Sequence, residues 1–394
     1  MQTIKRKSGV FLLLYIGYVF IYVARLNMTM ASPALRAGNY LTEVELGFIG
    51  SAFSVIYSCG RLFNGVIGDR LAPWILITTG LLLTGLSNLL LGFLPAYILI
   101  LLLWCINAFA QSMLWSSILR YVTGLYDKAG ADKKVSILVS SVSVGNILGI
   151  LLGSWTVSNL GVHAAFLVPG TLTVLTGLTS AYVLRKAPQG PKPQKQRFPF
   201  GEFVRNKKIR GVLLPAMFHG VMKDNISLWM AVYFFDQFAV DLERSSWYVL
   251  LIPTVGLVGR LLYPVCYRLS RRRGNLIATV SFVLCAVLSG VLCLQLRSPL
   301  LAAVCLSLIY AFVSMINTSF LSILPLQFTR QNMVSSVSGL MDFVTYLGAA
   351  IGSAVYGFLI ADYGYLPMFL SWAAISVLAL LFMAFQHPLT SDAE

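Results

Sequence analysis

Apolar residues dominate the chain in long runs of about twenty, broken by short polar turns, from Gly9 to Phe385. A hydrocarbon core about 30 Å thick needs a helix of roughly that length. Only helices and closed barrels satisfy their backbone polar groups in lipid. A barrel would show runs of about ten alternating residues, and that pattern is absent. The runs predict helices at 9–31, 45–68, 73–96, 98–124, 135–160 and 163–185, then at 210–235, 245–267, 274–296, 299–327, 333–360 and 365–386. The first is too long for a signal h-region and lacks a small-residue cleavage site, so it counts as a helix.

The expected fold class is therefore an all-α integral membrane protein with twelve transmembrane helices in two six-helix bundles. The stretch RKAPQGPKPQKQRFPFGEFVRNKK, Arg185 to Lys208, reads as a cytoplasmic tether. It divides the chain into an N-terminal bundle, 1–185, a linker, 186–209, and a C-terminal bundle, 210–394.

The halves echo each other. GRLFNGVIGDRL at Gly60 answers GRLLYPVCYRLS at Gly259, and GILLGS at Gly149 answers GAAIGS at Gly348, both at an offset of 199. AFAQSM at Ala108 returns as AFVSMI at Ala311, at a slightly longer offset. Paired six-helix halves in parallel register are the signature of transporters with a midplane site. Gly145, Gly149 and Gly153, and later Gly348 and Gly352, form small-residue faces that let helices approach closely.

Composition agrees: 58% of residues are hydrophobic and 11% charged, with a mean hydropathy of +0.80, against about 25% charged in a soluble domain. The net charge of +15 would suggest nucleic acid in a soluble protein. Here twenty-two Lys and Arg fall in alternate loops, while the opposite loops hold only Arg36, Arg244 and Arg297. By the positive-inside rule both termini and the linker face the cytoplasm of an inner or plasma membrane, and no nucleic-acid partner is expected. The six cysteines lie inside spans without paired spacing and read as packing residues. Neither metal nor cofactor is expected. No P-loop appears, which argues against an ATP-driven pump, and no nucleophile–base constellation suggests an enzyme.

Charge inside a span is costly, about 2.5–3.5 kcal/mol for a central Arg or Lys. YVARLNMTM, Tyr22 to Met30, nevertheless places Arg25 mid-span, and HGVMKDNISLWM places Lys223 and Asp224 in the seventh span, one turn after His219. Arg25 and Asp224 are 199 residues apart. A pseudo-twofold would aim Arg25 and Lys223 at one central cavity, a ready anion site. Tyr22, Asn27, Trp115, Asn225 and Tyr346 are its expected neighbours. The alternative is a structural pairing of the cations with Asp224 or with Asp342 of the eleventh span. Asp224, Asp342 and His219 are also the candidates for proton coupling. Arg61 and Arg260 are repeat mates that snorkel or line a vestibule. Gly65, Asp69 and Arg70 end the second span as a gate or a topology anchor.

At these residues the chain resembles the major facilitator superfamily, and within it the organophosphate:phosphate antiporters. YVARLNMTMASPAL followed by ELGFIGSAFSVIYSCGRLFNGVIGDR, QSMLW with Arg120, and GLMDFVTYLG carry the likeness over nearly the whole chain. The resemblance implies that an arginine of the first helix and one of the seventh grip a phosphate. The first is Arg25. The second position is Lys223, which supplies charge without a bidentate fork. The family's lysine of the second span is Arg61, its fifth-span histidine falls near Val142, and its glycerol-phosphate members lack acids at Asp224 and Asp342.

The expected protein is a monomeric secondary transporter moving a small organic anion across the bilayer by alternating access, in exchange for phosphate or another anion. The alternatives are a proton-coupled symporter or drug–proton antiporter of the same superfamily, and a membrane metabolite sensor that moves nothing.

Overall fold

The computed structural model describes residues 2–68, 71–94, 96–126, 128–186, 206–240, 242–271, 273–328 and 334–384. The described secondary structure is helical. The first six spans are α1 (Gln2–Ala37), α2 (Glu43–Gly68), α3 (Pro73–Leu91), α4 with α5 (Tyr97–Ser112, Leu114–Leu125), α6 (Lys128–Leu160) and α7 (Ala164–Arg185). The later spans are α8 (Lys207–Phe238), α9 (Leu242–Leu269), α10 (Gly274–Leu292), α11 (Pro299–Thr318), α13 (Val334–Tyr363) and α14 (Leu366–Ala384). A π-helical turn, Ser319–Ile323, and the short α12, Leu324–Leu326, extend α11.

Eleven of these segments are long and apolar enough to cross a membrane. The seventh, α8, is 32 residues long but carries His219, Lys223, Asp224 and Asn225 near its middle, which lowers its hydropathy. Helices begin and end where the chain dictates. Pro73 and Pro299 open α3 and α11, where a missing N–H costs nothing. Gly161 and Gly364, at φ +84° and +71°, supply the left-handed turns into α7 and α14.

Chain contacts group residues 1–42 and 56–196 into one unit, and residues 43–55 and 197–394 into a second. In unit 1, α1 packs on α6 and α7, and α3 on α4 and α7. Unit 2 repeats this: α8 packs on α13 and α14, and α10 on α11 and α14. The first half of α2 belongs to unit 2. There Phe48 meets Phe358 edge-on at 5.6 Å, and Gly47 lies so close to α13 that a Cβ would come within 2.6 Å of the Ser353 carbonyl.

The small-residue faces are close contacts. Gly145 lies against Tyr22 and the Val19 carbonyl, and Gly153 against Met30. Gly220 and Gly348 meet the carbonyls of Thr345 and Met217. Without side chains at these points, the α1–α6 and α8–α13 backbones approach one another directly.

These contacts also correct the register of two sequence echoes. Gly60 packs on Ser112 and Gly259 on Ala311, so Ser112 and Ala311, 199 apart, are the equivalent pair. Gly149 packs on Leu26 and the Tyr22 carbonyl, Gly352 on Asn225 and Val221. The partners are 199 apart and the glycines 203. Each echo is displaced by one helical turn. A four-residue shift leaves the same helix face forward, so short apolar matches do not resolve it.

The fourth span breaks at Met113, whose N–H bonds the Ala110 carbonyl in a tight turn. The Ser112 hydroxyl donates to the Phe109 carbonyl at 2.6 Å and accepts from the Asn64 amide at 2.7 Å, so α2 holds the break in place. The π-helical turn gives the tenth span a comparable irregularity. There the Tyr263 and Ser319 hydroxyls hydrogen-bond at 2.9 Å. Such local departures from the α ladder are a common feature of helices at functional sites.

Candidate functional site

Among the described residues, the Lys and Arg set well inside the apolar spans are Arg25, Arg61, Lys223 and Arg260. Two belong to each unit, and each pair heads a polar cluster.

In unit 1, Arg25 Nε donates to Gln111 Oε1 at 2.8 Å, and Gln111 Nε2 donates onward to Asn107 Oδ1 at 3.0 Å. The Arg25 guanidinium carbon stands 5.2 Å from the Tyr22 ring centre and 4.6 Å from that of Tyr57. Arg61, one turn along α2, approaches the same Tyr57 ring at 5.9 Å. Tyr18 completes the cluster, 5.5 Å from Tyr22 and 5.1 Å from Trp115 between ring centres.

Two cation–π contacts of about 0.5–2 kcal/mol each and one charge-assisted hydrogen bond of about 1.5–3 kcal/mol match the cost of a mid-span Arg. These contacts help to offset the cost of the charge. Arg25, Tyr22 and Trp115 come together as the sequence predicts. Gln111 and Asn107, on α4, and Tyr18 and Tyr57, on α1 and α2, join them; Gln111 and Tyr57 fall within the quoted motifs but not among the expected site residues.

In unit 2, Lys223 Nζ lies 3.5 Å from Asp224 Oδ1 and 5.0 Å from the Tyr346 ring centre. Adjacent helical residues point about 100° apart, so this ion pair is loose. Asp224 Oδ2 is buried without a hydrogen bond among the described residues. His219 is fully buried, and its ring nitrogens reach backbone groups of Ala216 and Val313 only at poor geometry. Lys223 and Arg260 are its charged neighbours. Asp342 is 9% exposed, on α13 one turn before Tyr346.

Asn27 and Asn225 stand apart from these clusters. Asn27 Nδ2 donates to Asn88 Oδ1 at 2.7 Å and to the Ala165 carbonyl at 3.1 Å, tying α1 to α3 and α7. Asn225 Nδ2 donates to the Val221 and Ala349 carbonyls, and its Oδ1 accepts from the Ser353 hydroxyl, tying α8 to α13. Both are fully buried, and both spend their amides on helix packing. Asp69 and Arg70 lie outside the described residues, as does most of the linker, and the surroundings of Gly65 are not described either. No cluster of three or more His, Cys, Asp or Glu suited to a metal occurs among the described residues.

Two repeated helical units with cations set inside their spans define a secondary-transporter architecture. The Major Facilitator Superfamily pattern matches residues 14–353, and the chain belongs to that superfamily. It is 24% identical to the probable hexose phosphate transport protein of Chlamydia muridarum, over 95% of this chain and 89% of that one. It is 22% identical to the glycerol-3-phosphate transporter of Bacillus subtilis, over 95% and 91%. Over 46% of its length it is 24% identical to the membrane sensor protein UhpC of Escherichia coli, covering 42% of that chain. Among solved structures, the nucleoside transporter NupG matches with a TM-score of 0.77 at 15% identity, over 96% of this chain and 99% of that one. That likeness concerns the fold. The protein is a multi-pass membrane transporter of this superfamily, and its relatives bear the names of the organophosphate transporters that the sequence motifs resemble.

Proposed function

We propose that the protein exchanges a small organic anion, a phosphorylated metabolite first among the candidates, for phosphate or another anion by alternating access in the plasma membrane, with both termini cytoplasmic. Arg25 and Lys223 are the two cations that receive the anionic group. The observation that carries this reading is Arg25 itself: a permanent charge mid-span, oriented by a hydrogen bond to Gln111 and set against the Tyr22 and Tyr57 rings. Relatives named for hexose phosphate and glycerol-3-phosphate transport support a phosphate ester.

Asp224 is the resting counter-ion of Lys223, displaced when cargo arrives. Cargo drives exchange because it binds the two facing states differently. Tyr22, Trp115 and Tyr346 supply ring faces, and Arg61 a second cation on the approach to Arg25. Asn27 and Asn225 act indirectly, by fixing the helices that carry Arg25 and Lys223. The bundles 1–185 and 210–394 are the bodies that rock, with Arg260, Gly65, Asp69 and Arg70 at the gate or the vestibule.

Counterflow in proteoliposomes tests this reading. Labelled phosphate should enter only against unlabelled phosphate or a phosphate ester inside, regardless of a pH gradient. The buried His219 and the unpartnered Asp224 oxygen favour a second reading, proton-coupled transport; net uptake abolished by an uncoupler would establish it. Ligand binding without flux would make the protein a sensor, the reading that the partial likeness to UhpC supports.

A further inference from the structure

At one end of unit 1, away from the Arg25 cluster, two lysines fold onto a pair of aromatic rings. Lys134 Nζ lies 4.4 Å from the centre of Phe11 and 5.8 Å from that of Tyr126. Lys7 Nζ lies 5.9 Å from Tyr126. The Tyr126 hydroxyl donates to the Lys7 carbonyl at 3.0 Å, and its ring meets Phe11 edge-on at 6.5 Å, so the platform is fixed. Phe11 is buried beneath it.

The location is as specific as the geometry. Lys7 stands two residues before the apolar run that begins at Gly9; Tyr126 directly follows the span Tyr97–Leu125; Lys134 directly precedes the apolar run that begins at Val135. All three residues therefore sit at the boundary where the apolar segments end, the depth of phospholipid headgroups. Segments 1–7 and 126–134 together carry six Lys or Arg and two Asp. A solvated lysine extends into water; here two ammonium groups lie 5.9 and 5.8 Å from the centre of one tyrosine ring, a concentration of positive charge that favours an anion. Ile137, one turn further into its apolar span than Lys134, exposes 41% of its surface.

We propose that Lys7, Lys134 and Tyr126 form a binding site for the headgroup phosphate of an anionic phospholipid. The two ammonium groups hold the phosphate, the Tyr126 ring is the floor, and the acyl chains run along the apolar spans that start beside the cluster. The net positive charge of the segments selects an anionic headgroup over a zwitterionic one. The position at the ends of the apolar spans selects a lipid over free phosphate.

The full chain purified in detergent, titrated with phosphatidylglycerol, with phosphatidylcholine of the same chains, or with inorganic phosphate, tests the site. Lipid adducts are read by native mass spectrometry and stability by thermal unfolding. Phosphatidylglycerol should remain bound and raise the melting temperature, while the other two do neither. Replacing both lysines, Lys7→Gln with Lys134→Gln, should lower phosphatidylglycerol occupancy about tenfold or more, and the double Arg replacement should preserve it. Equal effects of phosphatidylcholine or inorganic phosphate would overturn the proposal, as would a double Gln variant that retains the lipid. Should the double variant not fold, Lys134→Gln alone decides: undiminished occupancy overturns the site.

Discussion

Arg25 Nε is hydrogen-bonded to Gln111 Oε1 at 2.8 Å, a contact between residues 86 positions apart that joins α1 to α4. Gln111 lies two residues before the Met113 break, and Trp115, packed near Tyr18, two residues after it. The fourth span therefore touches both the charge and the rings around it, from opposite sides of its weakest point. Any bend at Met113 alters the grip on Arg25.

Gln111→Ala removes an anchor and leaves the charge. A hydrogen bond to a charged group contributes about 1.5–3 kcal/mol, so KM for exchange should rise about tenfold or more. Gln111→Glu places a carboxylate on Arg25 and should be worse, because the substitute anion competes with cargo. Initial rates of labelled phosphate exchange across a concentration series measure both. A Gln111→Glu variant that works better than Gln111→Ala would show that Arg25 does not receive an anion.

Lys223→Arg converts a point charge into a planar fork. If the cargo is a phosphate ester, bidentate pairing should lower its KM by about threefold to tenfold. Asp224→Asn, by removing the counter-ion, should tighten binding in the same assay and slow release. Should both leave KM unchanged, the Lys223–Asp224 pair is a structural element and the cargo lies elsewhere.

Backbone proximity yields a stability test that does not depend on the substrate. A methyl group at Gly220 or Gly348 collides with the carbonyl of Thr345 or Met217, which cannot rotate away. Each Gly→Ala should destabilise the protein by about 1–3 kcal/mol, seen as a lower unfolding temperature in detergent. Gly290, inside α10, is the contrast, because an added methyl group there would meet nothing within 4 Å. Gly290→Ala should be neutral or stabilising. Equal effects at all three would show that α8 and α13 do not meet as closely as these contacts require.

The spans were legible because each is a largely apolar run of about twenty residues, and lipid enforces helix on such a run. Arg25, Lys223 and Asp224 stood out for the same reason, as charges against that background. The chemistry that sets α8 apart is also what keeps it from qualifying as a span by hydropathy. The break at Met113 was not legible: QSML contains no proline or glycine, and the turn depends on Ser112 and Asn64 meeting across helices. Gln111 and Tyr57 appeared only as members of quoted motifs, and Tyr18 not at all, because one polar or aromatic residue in an apolar run says nothing of the direction it faces. Asn27 shows the converse. Two positions from Arg25, it turns toward α3 and α7, since neighbours on a helix point about 100° apart.

The most direct test is Arg25→Gln, a substitution close in length that removes the charge. In proteoliposomes holding equal amounts of folded protein, the natural chain should exchange internal for external phosphate or phosphate ester, and Arg25→Gln should lose that exchange by about a hundredfold or more. Exchange by Arg25→Gln at the natural rate would contradict the account.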